Sequence, residues 1–328
     1  MYKRNKNTPN ITNNCLKVKY SYVCGAGGAT LGAHKAGFDI KCGMDKDSNA
    51  AQTWEKNFPQ ATHYREAAED FVANKTRDYH VDVLHMSPPC QNRKNGIKIF
   101  QEVLNHFTRR GYSITWQVLD GANYGLPASR RIFILMAAAP GEMLPDFPKP
   151  THSGFSGSKY DGLLPFATEA EILDSIAADA PNHDLARARD NLTLEPEPRD
   201  PKELMQCIMT DGGKSKYFYD GSRKMTDREL AACQSFPNNY ELFGKTTSVR
   251  TQIGNAVAPI FAEAIYGRVR KSLEDFDALN AKYNSKSEED KNDVEMGNDR
   301  VLGLMKNLSL ATSELDDDSK KINVKVRI

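Results

Sequence analysis

The chain has 328 residues, enough for one large domain or two with ample core. Lys and Arg total 44 against 43 Asp and Glu, a net charge of +1, so no strongly basic signature marks the whole chain as a polyanion binder. The sequence shows no signal peptide, no apolar run of membrane-spanning length, no C-x-x-C pair and no zinc-spaced Cys/His cluster. That argues against a membrane partner and a metal site, and predicts free thiols in a reducing compartment.

Residues 1–17 read as a polar, Asn/Lys-rich leader. From Val18 to Met136 short apolar runs alternate with helical stretches. Lys19–Cys24 reads as a strand, followed by a glycine turn and a helix near Ala29–Ala36. Asp39–Met44 is a second strand and Ala50–Asn57 a helix. Val81–Met86 reads as a buried parallel strand, short and apolar. Ile97–Phe107 is an amphipathic helix with Ile97, Phe100, Val103, Leu104 and Phe107 on one face. Ser113–Leu119 and Arg131–Ala137 are further strands. Repeated β-α-β of this kind predicts a doubly wound α/β sheet.

Between residues 138 and 205 proline and charge rise and periodicity fades, which predicts a small irregular second lobe. Order returns with a helix over Asp227–Gln234 and an apolar helix over Ala256–Val269, after a Gly-Asn turn. From Lys271 the chain reads as a charged, solvated tail, with Leu302–Leu310 as a short amphipathic helix within it. Residues 271–328 hold 10 basic and 13 acidic residues, which leaves 34 against 30 in residues 1–270. The body is mildly basic, as suits a polyanion partner. The organisation predicted is therefore a leader (1–17), a catalytic and cofactor-binding domain (18–149), a recognition lobe (150–225), a return to the catalytic domain (226–270) and a tail (271–328).

Ser87-Pro88-Pro89-Cys90-Gln91 closes the third strand. Proline fixes φ and removes a donor, so two in a row stop the strand and stiffen the turn. Ligands of open α/β sheets bind outside the carboxyl ends of the strands. Cys90 is thus placed as a nucleophile at the mouth of a site, the alternative being an inert buried thiol. Gly25-Ala26-Gly27-Gly28 lies between the first strand and the first helix. Such a turn lets a ligand approach the backbone, or serves only sheet packing. Asp45 ends the second strand, where an acid holds ribose hydroxyls or caps the helix over Ser48–Asn57.

Taken together, these motifs resemble the cytosine-5 DNA methyltransferases. Gly25-Ala26-Gly27-Gly28, with Leu31-Gly32 and Ala36-Gly37-Phe38, looks like the first motif of that family, and Asp45 occupies its ribose-binding acid. Pro88-Pro89-Cys90-Gln91 is similar to the catalytic motif. Tyr124–Pro127 with Ser129-Arg130-Arg131 looks like the eighth, Thr226–Pro237 the ninth, and Gln252–Val257 the tenth. The order holds over Tyr20–Arg270, and Ala137–Glu142 is similar to the eukaryotic branch. The resemblance implies a Rossmann-like S-adenosylmethionine-dependent methyltransferase sheet with a small target-recognition lobe, a nuclear location and double-stranded DNA as partner. It implies a cytosine flipped out of the duplex and Cys90 adding to its carbon 6. Arg130 is implied to hold the base or neutralise charge, or alternatively to position a phosphate. Cys24, Gly25, Ala26, Gly27, Gly28, Asp45, Pro88, Gly254, Asn255 and Ala256 are implied to line the cofactor pocket. For Gly254 and Asn255 a plain helix-start turn is the alternative. In the recognition lobe Arg187, Arg189, Lys214 and Lys216 are candidate phosphate contacts or a solvated face.

The chain departs from that pattern in three places. After Gln91 the family continues through a loop and helix to a strand ending in Glu-Asn-Val, whose glutamate helps protonate nitrogen 3 of the base. Here Asn92-Arg93-Lys94-Asn95-Gly96 leads straight into the next helix, and Glu-Asn-Val occurs nowhere. Removing an interior strand predicts a gap flanked by apolar faces. Val23 stands where the first motif carries an aromatic, and Ala128 and Ile132 stand where the eighth carries glutamine and arginine. A transcript that lost an exon, a decayed relative, or use of another acid each explains the missing segment. Two other functions stay open: a non-catalytic DNA- or cofactor-binding relative, and an RNA cytosine-5 methyltransferase. The Cys-Phe-Thr signature of the tRNA branch is absent near Cys233–Phe236.

Overall fold

Four short strands, β1 (Val18–Tyr22), β2 (Asp39–Met44), β3 (Thr62–Tyr64) and β4 (Val83–Met86), form a parallel sheet in the order β3-β2-β1-β4. The computed structural model describes residues 18–22, 24–67, 70, 81–87, 96–154, 162–190, 196–210 and 217–284. Crossover helices join the parallel strands, as they must: α1 (Gly28–Lys35) links β1 to β2, and α2 (Ser48–Asn57) links β2 to β3. Asp47 caps α2 by accepting from Ala50 N at 2.8 Å. Trp54 of α2 lies flat enough on β2 that a Cβ on Gly43 would come within 2.7 Å of its indole.

After β4 come α3 (Gly96–Thr108), β5 (Ser113–Asp120), a short 3-10 turn (Gly121–Tyr124) and β6 (Arg131–Ala138). β5 and β6 pair antiparallel in a sheet of their own. The segment between β6 and residue 226 carries two short helices, α4 (Glu169–Asp174) and α5 (Leu185–Asp190). Glu169, fully buried, is neutralised by Arg199, whose Nε donates at 3.0 Å. Then follow α6 (Asp227–Cys233), α7 (Thr246–Asn255) and α8 (Pro259–Asn284). The chain divides into two units, residues Met1–Leu273 and residues Glu274–Ile328.

Two apolar clusters hold the first unit. One joins Ala33, Phe38, Ile40, Trp54, Phe58, Leu230, Ile253, Ala262 and Tyr266. The other joins Leu119, Tyr124, Leu126, Met136, Phe261 and Ile265. α8 contributes to both, because consecutive residues point about 100° apart on a helix. Phe261 and Ile265 pack with Leu119 and Met136 of the antiparallel pair, while Ala262 meets α1 and Tyr266 meets His85 of β4. α1 comes very close to α8: a Cβ on Gly32 would sit 2.5 Å from that of Ala262.

The α/β class holds, and β2 falls where the sequence places it. The neighbouring elements shift by one or two residues. The reading of Val81–Met86 as buried is corrected. The strand begins at Val83, and its burial alternates, with Leu84 and Met86 exposed. The tail is corrected too, since α8 continues past Lys271 to Asn284. β3 and α7 have no counterpart in the sequence reading. The leader (1–17) and the segment Leu302–Leu310 lie outside the described residues.

Candidate cofactor and active site

The glycine turn is where β1, β2 and α1 meet. Gly25 and Gly27 have positive φ, +51° and +84°, which L side chains rarely adopt. Gly27 is also sterically closed: a Cβ would lie 2.7 Å from both Phe58 and the Tyr240 hydroxyl. Gly28 is closed by the chain after α7, since a Cβ would lie 2.2 Å from the Val257 carbonyl oxygen. Gly25 differs, because among the described residues a Cβ there would meet nothing within 4 Å. One side of the turn therefore packs against the protein and the other is open. Tyr240 Oη donates to the Ala26 carbonyl from the packed side.

Asp45 follows β2 and faces this turn. Its carboxylate accepts from Gly25 N and from Asp47 N, both at 2.9 Å. Asp47, not Asp45, caps α2, so the capping alternative for Asp45 is corrected. A carboxylate offers about four acceptor sites, which leaves Asp45 capacity for further donors. No side chain caps α1 at Gly27, and its positive dipole end opens at the same turn.

Cys24 points inward. Its Sγ lies 3.4 Å from Nε2 of His63 on β3, and the His63 side chain is 1% exposed. Glu55 Oε1 stands 3.7 Å from His63 Nδ1, beyond hydrogen-bond reach. Burial pushes the His63 pKa down, opposed by the charges of Glu55 and Asp45. Cys24 thus belongs to the turn by its backbone, while its thiol packs beneath it.

Arg130 ties three segments together. Nη1 donates to the Ile208 carbonyl at 3.1 Å and approaches Cys207 Sγ at 3.4 Å. Nη2 donates to the Gly254 and Ala256 carbonyls at 2.8 and 3.1 Å. The guanidinium fork is thereby engaged with backbone on both sides. Gly254 packs on the Met209–Thr210 backbone, where a Cβ would lie 2.5 Å from Thr210 N. Asn255 is exposed and Ala256 buried.

The structure therefore gathers Cys24, Gly25, Ala26, Gly27, Gly28 and Asp45 at one turn. It joins them through Val257 to Gly254, Asn255, Ala256 and Arg130. Pro88 and Cys90 lie outside the described residues, as do Lys214 and Lys216. Arg187 and Arg189 lie on α5. At the last described residue before Pro88, Ser87 Oγ hydrogen-bonds His85 Nε2, and Tyr266 Oη meets His85 Nδ1 at 2.7 Å. Tyr240, His63 and Tyr266 escaped the sequence reading, since none stands in a local pattern. The ninth-motif arginine, Arg228, is wholly buried. It donates to the carbonyls of Pro181, Pro237 and Tyr240, and desolvation lowers its pKa to about 10.

The family profile of C-5 cytosine-specific DNA methylases matches residues 19–93, 92–203 and 200–271, most of the chain. The chain belongs to the C-5 cytosine-specific DNA methylase family. The type II methyltransferase M1.HphI of Haemophilus parahaemolyticus is 24% identical, over 78% of this chain and 88% of its own. M.NgoFVII of Neisseria gonorrhoeae is 30% identical, over 50% of this chain and 52% of its own. Among solved structures, a DNA modification methyltransferase encoded within an E. coli prophage superposes with a TM-score of 0.55 at 20% identity, covering 79% of this chain and all of that one. The S. pombe Dnmt2 methyltransferase gives 0.52 at 14%, covering 80% of this chain and 99% of that one. These two likenesses speak to the fold of this cytosine methylase relative.

S-adenosylmethionine, the methyl donor implied by the family, fits the residues present. The open face of Gly25 admits a ligand against the backbone, and α1 offers its uncapped end. Asp45, at the end of the second strand, has acceptor capacity for ribose hydroxyls. Among the described residues no group of three or more His, Cys, Asp or Glu side chains could hold a metal, and no helix is long and apolar enough to cross a membrane.

Proposed function

We propose that this methylase relative binds S-adenosylmethionine at Gly25–Gly28 and Asp45 and methylates carbon 5 of a cytosine flipped from double-stranded DNA. The observation that carries the reading is the one-sided glycine turn, open at Gly25 and closed at Gly27 and Gly28, with the Asp45 carboxylate bonded to it. When bound, S-adenosylmethionine supplies an electrophilic methyl group and leaves as the thioether. Cys90, assigned by its motif, adds as thiolate to carbon 6, which makes carbon 5 nucleophilic. Loss of the carbon 5 proton then releases the thiolate. Arg130 holds Gly254 and Ala256 against the turn and so positions the pocket wall rather than presenting a free fork to the base.

We further infer that the family segment ending in Glu-Asn-Val is missing between Cys90 and α3. Two observations support this. The first two profile matches meet at residues 92–93. The alignment with M1.HphI runs over 327 positions yet uses only 78% of these 328 residues, so that relative carries stretches with no counterpart here. The chain alone is accordingly slow or silent in turnover. A eukaryotic-branch identity rests on Ala137–Glu142 and a nuclear location on the family resemblance, and the bacterial relatives named above lend neither support.

The test is duplex DNA carrying 5-fluorocytosine, incubated with the protein and labelled cofactor. Because fluorine cannot leave as the proton does, the covalent adduct is trapped. A denaturation-resistant adduct that vanishes in Cys90→Ser supports the enzyme. Cofactor binding without any adduct supports a non-catalytic relative, and an adduct formed only on a tRNA substrate points to RNA.

A further inference from the structure

β3 has only three residues, yet the glycine turn and Asp45 both hang from it. Asp45 N donates to the Tyr64 carbonyl at 3.2 Å, and the Asp45 carboxylate holds Gly25 N. Cys24 N donates to the Met44 carbonyl at 2.8 Å, and the Cys24 carbonyl accepts from Gly27 N at 2.9 Å. The Cys24 thiol rests on His63 Nε2 at 3.4 Å. One side chain therefore separates the His63 ring from the glycine turn. Trp54 lies tilted against the same ring, with centroids 5.2 Å apart.

That ring is buried but not fully bonded. Among the described residues Nδ1 has no hydrogen-bond partner, and Glu55 Oε1 stands 3.7 Å from it. A bare lone pair facing a carboxylate is repelled, so in the neutral ring Nδ1 carries the proton. Nε2 is then an acceptor, and the Cys24 thiol donates to it. A second proton reverses that contact: Nε2 becomes a donor, and the thiol must turn its hydrogen away. The groups that face the ring are Cys24 after β1, Asp45 after β2, Trp54 and Glu55 of α2, and Arg65 after β3. Arg65 Nε also donates to Glu55 at 2.9 Å. Burial disfavours the charged ring, the Glu55 and Asp45 carboxylates favour it, and Arg65 opposes them.

We propose that His63 is a positioning residue of the cofactor site, and that a proton on its ring competes with S-adenosylmethionine. The imidazolium draws on the Asp45 carboxylate, the acceptor assigned to the ribose hydroxyls. The reversed Cys24 contact disturbs the residue that leads into Gly25 and holds Gly27. The cofactor carries a sulfonium charge of its own, which a second cation beside the pocket repels. All three effects act in one direction. Binding is strong with His63 neutral and weakens as pH falls below the ordinary histidine value of 6.5, because the folded group titrates lower still. A single proton limits the slope to about tenfold per pH unit. By linkage, bound cofactor makes His63 harder to protonate. The proposal rests on the reading that S-adenosylmethionine binds at Gly25–Gly28 and Asp45, and adds a control on that site.

The test is equilibrium binding of labelled S-adenosylmethionine to the full chain between pH 7.5 and 5.0, in the parent, His63→Gln and His63→Phe. The glutamine amide can bond the Cys24 thiol but takes up no proton, while phenylalanine keeps only the contact with Trp54. At pH 7.5 His63→Phe is expected to bind at least fivefold more weakly than the parent, with part of that loss restored in His63→Gln. From pH 7.5 to 5.0 the dissociation constant of the parent is expected to rise at least threefold more than that of His63→Gln. The His63 ring resonance, identified in proton NMR by its loss in His63→Gln, is expected to titrate with a lower midpoint when cofactor is bound. Two results overturn the proposal and leave the cofactor reading standing: the same pH dependence of binding in the parent and His63→Gln, or a His63 midpoint that saturating cofactor leaves unchanged or raises. No saturable binding at pH 7.5 overturns the cofactor reading and the competition with it.

Discussion

Gly28→Ala sets two effects of opposite sign against each other. Alanine is the better helix former, by about 0.5–1 kcal/mol in a helix interior. Gly28 begins α1 and has no positive φ to relieve. On propensity alone the substitution stabilises. The new Cβ, however, would lie 2.2 Å from the Val257 carbonyl oxygen and 3.2 Å from Phe236 Cζ. A carbon–oxygen contact needs about 3.3 Å, so the backbone after α7 must retreat by about 1 Å. Overpacking costs about 1–3 kcal/mol, and the upper end applies because the obstacle is backbone. The expected net loss is about 2 kcal/mol, or about 4–8 °C in melting temperature for a domain of this size. Two companions isolate the cause. Gly267→Ala on α8 meets nothing within 4 Å and is expected to raise the melting temperature slightly. Gly25→Ala is equally free of contacts but sits at φ +51°, so it is expected to cost about 1 kcal/mol and to obstruct the open side of the turn. Thermal unfolding followed by circular dichroism measures all three. A Gly28→Ala protein that melts within 1 °C of the parent refutes the packing argument.

Arg130→Lys keeps the charge but cannot reach Ile208, Gly254 and Ala256 together. A loss of about 2–4 kcal/mol is expected in urea unfolding, and an unchanged midpoint contradicts the three-way tie. His63, with its pKa lowered by burial, makes stability depend on pH. The unfolded histidine takes up a proton as pH falls through its ordinary value of 6.5, while the folded one resists. Stability therefore falls with pH below 6.5, by up to about 1.4 kcal/mol per unit, and the slope ends once the folded group protonates. His63→Phe is expected to flatten that slope, and an identical slope in both proteins counts against the assignment. Asp47→Ala removes the α2 cap and is expected to cost about 1 kcal/mol, read from the same unfolding curves.

Legibility in the sequence followed the range of the interactions. β2 and α3 were readable because alternation and helical periodicity are local properties. β3 has only three residues and no apolar pattern. Within α7 only Val249 and Ile253 are large buried hydrophobics, too few for a visible stripe. α8 runs on through charged residues that read as tail. The apolar run at β4 was visible, but burial depends on what lies beside a strand, and among the described residues β4 pairs with β1 alone. At the site, the glycines and Asp45 announced themselves by spacing along a β-α-β unit. Arg130 was read by motif as a group for the base, and only its four partners, separated by at least 77 positions in the chain, reveal a tie between segments. Tyr240 reaches Ala26 across 214 positions, a contact no local pattern signals.

Equilibrium binding of labelled S-adenosylmethionine to the full chain tests the cofactor site most directly. The account predicts one saturable site, weakened at least tenfold in Asp45→Ala and unchanged in Asp39→Ala, whose carboxylate pairs with Lys41. No saturable binding, or equal loss in both variants, would contradict it.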